Sequence, residues 1–150
     1  MNSSQGDPAV FDAELAAFLA WLRAFEDEAS QRPGLSRWYR GPILSAYVRA
    51  TRPRLPLGGE TALGLADLQV AEPYRGCGFL TRALQALDAE PGLTAQHLLV
   101  ENVLNAGLAR RLEADGFVRR LPGDAVSPWY SRERSAWASA AAGRVPSEPA

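Results

Sequence analysis

The stretch from residue 63 to residue 88 constrains the fold more than any other part of the chain. It consists of an apolar segment that ends at Val70, a turn that contains Gly76 and Gly78, and a segment whose apolar side chains recur on one side of a helix. A strand, a glycine-containing turn and a helix in direct succession predict an α/β fold.

The turn in this unit is suited to bind an anion. The first amides of a helix have no intrahelical acceptor, and Gly76 and Gly78 allow another molecule to approach the backbone closely. Arg75 adds a full positive charge, so the expected ligand is a phosphate-bearing molecule, most simply a pyrophosphate. Taken alone, an ordinary strand-to-helix turn explains these glycines equally well. The dinucleotide-binding pattern fits poorly, because its third glycine is missing.

Apolar periodicity predicts the remaining elements. Apolar residues at steps of four and three, from Phe11 to Phe25, predict a core-covering helix over residues 8–29 that begins after Asp7. Two strands of an antiparallel hairpin are expected over residues 43–51 and 61–70, and a connecting segment over residues 31–40. The elements expected farther on are a buried strand over 96–101, a helix capped by Asn102 or Asn105 and stopped at Gly116, a strand over 117–121 and a last strand over 127–132.

Length and composition indicate a single domain. The chain has 150 residues, 47% of them hydrophobic, which is enough for one core and short for two. We expect residues 1–135 to form this domain, with a central, mixed and mostly antiparallel sheet covered by helices on both faces. Residues 136–150 are rich in Ala, Ser and Pro and are expected to form a flexible tail.

Composition also excludes several kinds of chemistry. Cys77 is the only cysteine and His97 the only histidine, which excludes an internal disulfide and a thiolate or multi-histidine metal site; no metal is expected. The formal net charge of −1 provides no basic field for nucleic acid or anionic lipid. No apolar run is long enough to span a membrane, and the first residues lack the pattern of a secretory signal. We therefore expect a cytoplasmic location.

Two motifs in the chain resemble those of GNAT-type N-acetyltransferases. The first is Arg75-Gly76-Cys77-Gly78, which follows a predicted strand and resembles the acetyl-CoA motif of the family. The second is Asn105 followed by Gly116-Phe117, at offsets of eleven and twelve, which resembles a helix that opens with Asn and ends in Gly-Phe. The resemblance covers residues 61–117.

The resemblance implies a V-shaped cofactor cleft between the strand that ends at Val70 and the strand that ends at Glu101. Acetyl-CoA would be the co-substrate: its pantetheine arm would pair with the end of the first strand, and its pyrophosphate would lie on the amides of the glycine turn. The residues implied as cofactor-binding are Leu68, Gln69, Val70, Arg75, Gly76, Cys77, Gly78, Phe79, Leu80, Thr81 and Asn105.

Catalysis in the family requires a base for the acceptor ammonium and often an acid for the departing thiolate. Glu101 and Asp67 are the candidate bases, because each is a carboxylate in or at the end of an apolar strand beside the cleft. Leu112 occupies the position at which many members carry a tyrosine acid. Tyr130 is therefore the candidate acid; packing on a strand is the simpler interpretation of its ring.

The function implied is transfer of an acetyl group from acetyl-CoA to a primary amine, by direct attack in a ternary complex. The acceptor is expected to be a small-molecule amine, an amino acid or a protein amine. One alternative is a CoA-binding regulatory protein without turnover, which Leu112 suggests. Another is a transferase that acts on a nucleic-acid base, against which the acidic pI of about 5.9 argues. Homodimers are common in the family, but no sequence feature identifies an interface.

Overall fold

The computed structural model describes residues 7–32, 34–51, 61–101, 103, 106–120 and 129–135. These ranges contain three α-helices and six strands. In chain order they are α1 (Pro8–Ala29), β1 (Ser36–Arg40), β2 (Leu44–Thr51), β3 (Ala62–Val70), α2 (Phe79–Ala89), β4 (His97–Val100), α3 (Ala106–Ala114), β5 (Val118–Arg120) and β6 (Trp129–Glu133). Within the described ranges, no helix is long and apolar enough to cross a membrane.

The first helix has the bounds that its periodicity predicts. The Asp7 carboxylate accepts a hydrogen bond from the Ala9 amide at 2.9 Å, and Pro8 occupies the first helical turn, where a missing N–H costs nothing. The apolar stripe is buried along its whole length, at Phe11, Leu15, Phe18, Leu22 and Phe25. The helix therefore covers the core, as expected.

The six strands form one sheet in the order β1-β2-β3-β4-β6-β5. Only β3 and β4 run parallel, and α2 makes the crossover between them; all other neighbours are antiparallel. All four residues of β4 are buried, so the centre of the sheet is covered on both faces. The fold class predicted from the sequence, a mixed and mostly antiparallel sheet in a single α/β domain, is confirmed. Residues 136–150 lie outside the described ranges.

The prediction of a connecting segment over residues 31–40 is wrong, because Ser36–Arg40 forms strand β1 at the edge of the sheet. Its apolar pattern is too weak to predict a strand, since only Tyr39 is buried and arginines flank the aromatic pair. Charged side chains are common on edge strands, where they oppose pairing with another chain.

A buried carboxylate joins α1 to the β1–β2 turn. Glu14 accepts hydrogen bonds from the Tyr39 hydroxyl at 2.6 Å and from the amides of Ile43 and Leu44 at 2.7 and 3.0 Å. These three donors replace the water that the carboxylate loses on burial. Glycine is required at position 41, because a Cβ there would lie 2.5 Å from a Glu14 oxygen.

A buried arginine joins structural elements at the other end of the core. The Arg134 guanidinium, which follows β6, donates to the carbonyls of Leu87, Leu93 and Ala95 at 2.8 to 3.0 Å and also to the carbonyl of Glu90. It thereby holds the last turn of α2 and the loop that leads to β4. Burial lowers the pKa of Arg134 from its ordinary value.

The Tyr39–Glu14 contact makes folding sensitive to alkaline pH. Burial, together with the hydrogen bond to Glu14, raises the pKa of Tyr39. Its contribution to stability is therefore complete below the unfolded-state pKa of about 10 and is lost as pH rises above it. We expect Tyr39→Phe to lower the free energy of unfolding by about 1–3 kcal/mol at pH 7 and to weaken its decline above pH 10, in urea titrations at both pH values. Tyr47→Phe is the control, and an unchanged alkaline slope in Tyr39→Phe would contradict the assignment.

Candidate functional site

The parallel strands β3 and β4 separate at the middle of β3. Their paired residues run from Ala62–His97 to Leu65–Val100, and the Glu101 amide donates to the Leu65 carbonyl at 2.9 Å. The strand β3 continues for five residues beyond Leu65, to Val70, without a partner in the described part of β4. Beyond Leu65 this side of β3 is therefore not paired with β4, which leaves an edge to which a ligand can bind and confirms the predicted cleft.

A β-bulge lies in β3 just beyond the point of divergence. The register with β2 shifts between the pairs Tyr47–Ala66 and Ser45–Gln69, so that β3 contains one extra residue. Within the bulge Asp67 has a φ of +50°, a conformation that Asp tolerates better than most residues. The side chain of Asp67 is exposed. The bulge therefore supplies a structural reason for a carboxylate within this apolar strand.

The start of α2 presents a row of free amides. Gly78 is the N-cap residue, with a φ of +80°, and no side chain caps the helix. Gly76 has a φ of +75°, and a Cβ on either glycine would meet no atom within 4 Å. Among the residues that the structure describes, none accepts a hydrogen bond from the amides between Gly76 and Thr81. Together with the helix dipole, these amides form a site for an anion.

A groove of about 500 Å³ lies between the unpaired end of β3, the glycine turn and α3. Eight of the eleven predicted cofactor-binding residues line it: Leu68, Gln69, Val70, Arg75, Gly76, Gly78, Phe79 and Leu80. Cys77 and Thr81 adjoin the groove without lining it, and the Cys77 side chain is exposed. Asn105 lies outside the described residues. The structure therefore brings the residues of the first motif together in one place.

The electrostatic character of the groove is positive. Its lining contains Arg75 and Arg111 and no carboxylate. The Arg75 guanidinium is held against the end of β3 by a 2.8 Å hydrogen bond to the Val70 carbonyl. On the opposite wall, Arg111 of α3 donates to the Thr81 hydroxyl of α2. Both cations are positioned beside the free amides, which is the arrangement that a phosphate group requires.

Four residues that line the groove are absent from the residues predicted to bind the cofactor. Gly107, Leu108 and Arg111 line the groove from α3, and Tyr74 lines it from the single 3₁₀ turn Glu72–Tyr74. The spacing of 107, 108 and 111 places these residues on one face of a helix, and this was the available signal. The signal does not show which helix face meets the groove, because that depends on how α3 packs.

Glu101 lies at the point where β3 and β4 diverge. Its Oε2 atom is 3.5 Å from Nη1 of Arg49 on β2 and has no hydrogen-bond partner in the described part of the chain. A Cβ at Gly64 would lie 3.4 Å from the same oxygen, so the carboxylate rests over this glycine. The unpartnered Oε2 atom is buried, and Glu101 lies at the fork between the strands without lining the groove.

Tyr130 lies in the core beside the cleft. It pairs with Val100 in the sheet, its side chain is buried, and its hydroxyl donates to Oε1 of Glu113 at a long 3.5 Å. It is not among the residues that line the groove. Leu112, at the position of the family's tyrosine, is also fully buried. The role of Tyr130 as an acid stays a prediction.

The bulge can be tested through the stability of variants at position 67. Asp67→Gly should leave the free energy of unfolding nearly unchanged. Asp67→Val should lower it by about 1–2 kcal/mol, because a β-branched residue is strained at positive φ. Gln69→Val, at an exposed position in the same strand, is the matched control for urea unfolding. An equal decrease of the free energy of unfolding in Asp67→Val and Gln69→Val would show that the backbone at Asp67 is unstrained.

No protein-family model and no curated protein sequence matches the chain. Among solved structures, it is similar to an acetyltransferase from Thermus thermophilus, with 20% identity, a TM-score of 0.47 and coverage of 71% of this chain and 69% of the other.

Two further solved structures show a similar degree of likeness. Arabidopsis thaliana Naa50, in complex with the bisubstrate analogue CoA-Ac-MVNAL, has 17% identity and a TM-score of 0.42, with 61% of this chain and 65% of the other covered. The KacTA–DNA complex has 13% identity and a TM-score of 0.44, and the match covers 69% of this chain and 76% of the other.

The internal geometry of the chain establishes the fold independently of these likenesses. The parallel pair that diverges at Leu65 and the glycine-bounded start of α2 are features that the resemblance of the first motif implies. The chain therefore has a fold of the kind that its resemblance to the GNAT-type N-acetyltransferases implies.

Proposed function

We propose that the protein is an acetyl-CoA-dependent N-acetyltransferase that acts on a primary amine. The observation that carries this proposal is the groove in which the unpaired edge of β3 faces the free amides at the start of α2. One wall suits an extended amide-containing arm and the other suits a pyrophosphate, and coenzyme A joins these two groups in one molecule.

The residues of the groove have separate tasks in this proposal. The amides from Gly76 to Thr81 bind the pyrophosphate, and Arg75 and Arg111 neutralise its charge. The edge of β3 from Leu68 to Val70 pairs with the pantetheine arm and directs the thioester toward the fork between the strands. The thioester carbon then lies on the side of the cleft where Glu101 is found.

Glu101 acts as the base in the proposed reaction. It accepts a proton from the acceptor ammonium, directly or through one water, and the neutral amine forms an N–C bond with the acetyl carbon. The C–S bond breaks and CoA leaves as a thiolate, while the nitrogen loses its second proton, which the thiolate takes up directly or through solvent. A ternary complex suffices, because the amine attacks the thioester directly. Asp67 is the second candidate base, and its exposed side chain lies two residues beyond the last β3–β4 pair.

A CoA-binding protein without turnover is the alternative that a specific observation favours. Leucine at position 112 has no proton to donate, and the Tyr130 hydroxyl, 3.5 Å from Glu113, is not among the residues that line the groove, which supports this alternative. Binding of acetyl-CoA without transfer to any amine would identify this alternative.

The cofactor site is tested by thermal unfolding with acetyl-CoA, CoA and NAD. At about 100 times its dissociation constant a ligand stabilises the native state by about 2.7 kcal/mol, which raises the midpoint by several degrees. We expect shifts with both CoA species and none with NAD. Gly78→Glu should abolish the shifts, since it places an anion and a side chain in the groove.

Gly34→Glu is a matched control for this variant. Gly34 has a φ of +81° and open space around its Cα, as Gly78 does, but it lies outside the groove. Both variants should lose similar stability from backbone strain, and only Gly78→Glu should lose the response to CoA. A wild-type protein that saturating acetyl-CoA does not stabilise would refute the proposed function.

The base is tested by Glu101→Gln. This change keeps the size of the side chain and removes its proton affinity, so we expect kcat to fall by about 10²- to 10⁴-fold while the thermal shift with acetyl-CoA is retained. Asp67→Asn is the comparison. A large loss of kcat in Asp67→Asn and none in Glu101→Gln would assign the base to Asp67 instead.

A further inference from the structure

The face of the sheet opposite α1 carries an aromatic pair near the fork. Trp38 of β1 is opposite Tyr47 of β2, their ring centroids are 5.4 Å apart, and Trp38 is 40% exposed. The ring of the neighbouring Tyr39 packs on Phe18 of α1, with ring centroids 4.7 Å apart. Because successive side chains of a strand point to opposite faces, Trp38 projects from the other face. An apolar surface on the side of the sheet away from the core is thereby open to a ligand.

A pair of opposite charges adjoins the aromatic pair on this face. Arg49 follows Tyr47 by two residues, so both side chains project from the same side of β2. Arg49 is in register with Gly64, over which the Glu101 carboxylate lies. We call the surface formed by Trp38, Tyr47, Arg49 and Glu101 the acceptor face.

Arg49 and Glu101 of the acceptor face each have a hydrogen-bonding group without a partner in the described ranges. The Arg49 side chain is about half exposed, and within the described ranges Glu101 is its only ionic partner, at 3.5 Å. Oε2 of Glu101 receives no hydrogen bond in that part of the chain. A half-exposed guanidinium with spare donors therefore lies beside a carboxylate whose buried Oε2 atom has no hydrogen-bond partner in the described ranges.

This arrangement is complementary to a zwitterion. A guanidinium binds a carboxylate with two parallel hydrogen bonds, and a carboxylate binds an ammonium group. In an α-amino acid these two groups are joined through one carbon atom. The adjacent aromatic rings suit an apolar or aromatic side chain on the same molecule.

We infer that the acceptor is an α-amino acid with an apolar or aromatic side chain. This inference rests on the proposed function. Arg49 binds the carboxylate of the acceptor, Trp38 and Tyr47 contact its side chain, and Glu101 receives the proton of its ammonium group. The N–C bond then forms as the C–S bond of the thioester breaks, the nitrogen releases its second proton, and the CoA thiolate takes up a proton through solvent.

The same charges disfavour other amines. A polyamine would bring a second cation toward Arg49 and toward Arg40, whose guanidinium lies 4.3 Å above the Trp38 ring. An amine without a carboxylate would leave the donors of Arg49 without a partner. The acceptor face therefore selects for a carboxylate as well as for an amine.

The test compares phenylalanine with phenylalaninamide and phenethylamine as acceptors. We expect kcat/KM to be about 10- to 100-fold higher for phenylalanine, because only it offers a carboxylate to Arg49. Arg49→Gln should remove this preference and leave the KM for acetyl-CoA unchanged. Equal rates with the three acceptors, or a preference that survives Arg49→Gln, would overturn the inference.

Arg23→Gln is the matched control for Arg49→Gln. Arg23 forms an ion pair of similar length and exposure, 3.4 Å from Glu90, but lies on α1 away from the acceptor face. The preference for phenylalanine should persist in Arg23→Gln. If both variants lost the preference, the cause would be a general effect of removing a positive charge. The assignment of the carboxylate site to Arg49 would then be wrong.

A binding measurement without acetyl-CoA separates the inference from the proposed function. Titration of the wild-type protein with phenylalanine, followed by NMR, should show binding that phenylalaninamide and the Arg49→Gln variant lack. If phenylalanine binds but acetyl-CoA gives no response, the transferase function is refuted, and the assignment of the acceptor face as an amino-acid site is supported. A response to acetyl-CoA with equal binding of acid and amide would retain the transferase function and refute the carboxylate site.

Discussion

The end of the parallel pairing between β3 and β4 is the constraint on which the site depends. The hydrogen bond from the Glu101 amide to the Leu65 carbonyl is the last between them, and β3 then continues alone to Val70. Two consequences follow from this one divergence. The free edge of β3 becomes a wall of the groove, and Glu101 is left at the fork between the strands.

Buried polar groups hold the elements on both sides of the fork. Glu14 ties α1 to the β1–β2 turn with three hydrogen bonds, and Arg134 ties the end of β6 to the carbonyl end of α2. Each group is costly to bury and is stabilised by complete hydrogen bonding. With its carbonyl end fixed in this way, α2 directs its free amides toward β3, so the anion site does not need to be assembled by the ligand.

The cleft and the acceptor face use charge in different ways. The groove combines helix amides with Arg75 and Arg111 and has no carboxylate in its lining, as a site for a doubly charged anion requires. The acceptor face places Arg49 beside Glu101, so that opposite charges meet one small molecule. The proposed transfer takes place where these two surfaces adjoin, at the fork.

The sequence by itself determined the elements and the phosphate-binding half of the site. The stripe of α1, the hairpin of β2 with β3 and the glycine turn are local patterns, since periodicity and φ preference act over a few residues. Only the tertiary structure decided that residues 36–40 form an edge strand, that Tyr130 faces Glu113, that Asp67 occupies a bulge and that Arg49 meets Glu101. These features depend on strand register and on which helix face packs inward, and both are set by contacts between residues that are distant in the sequence.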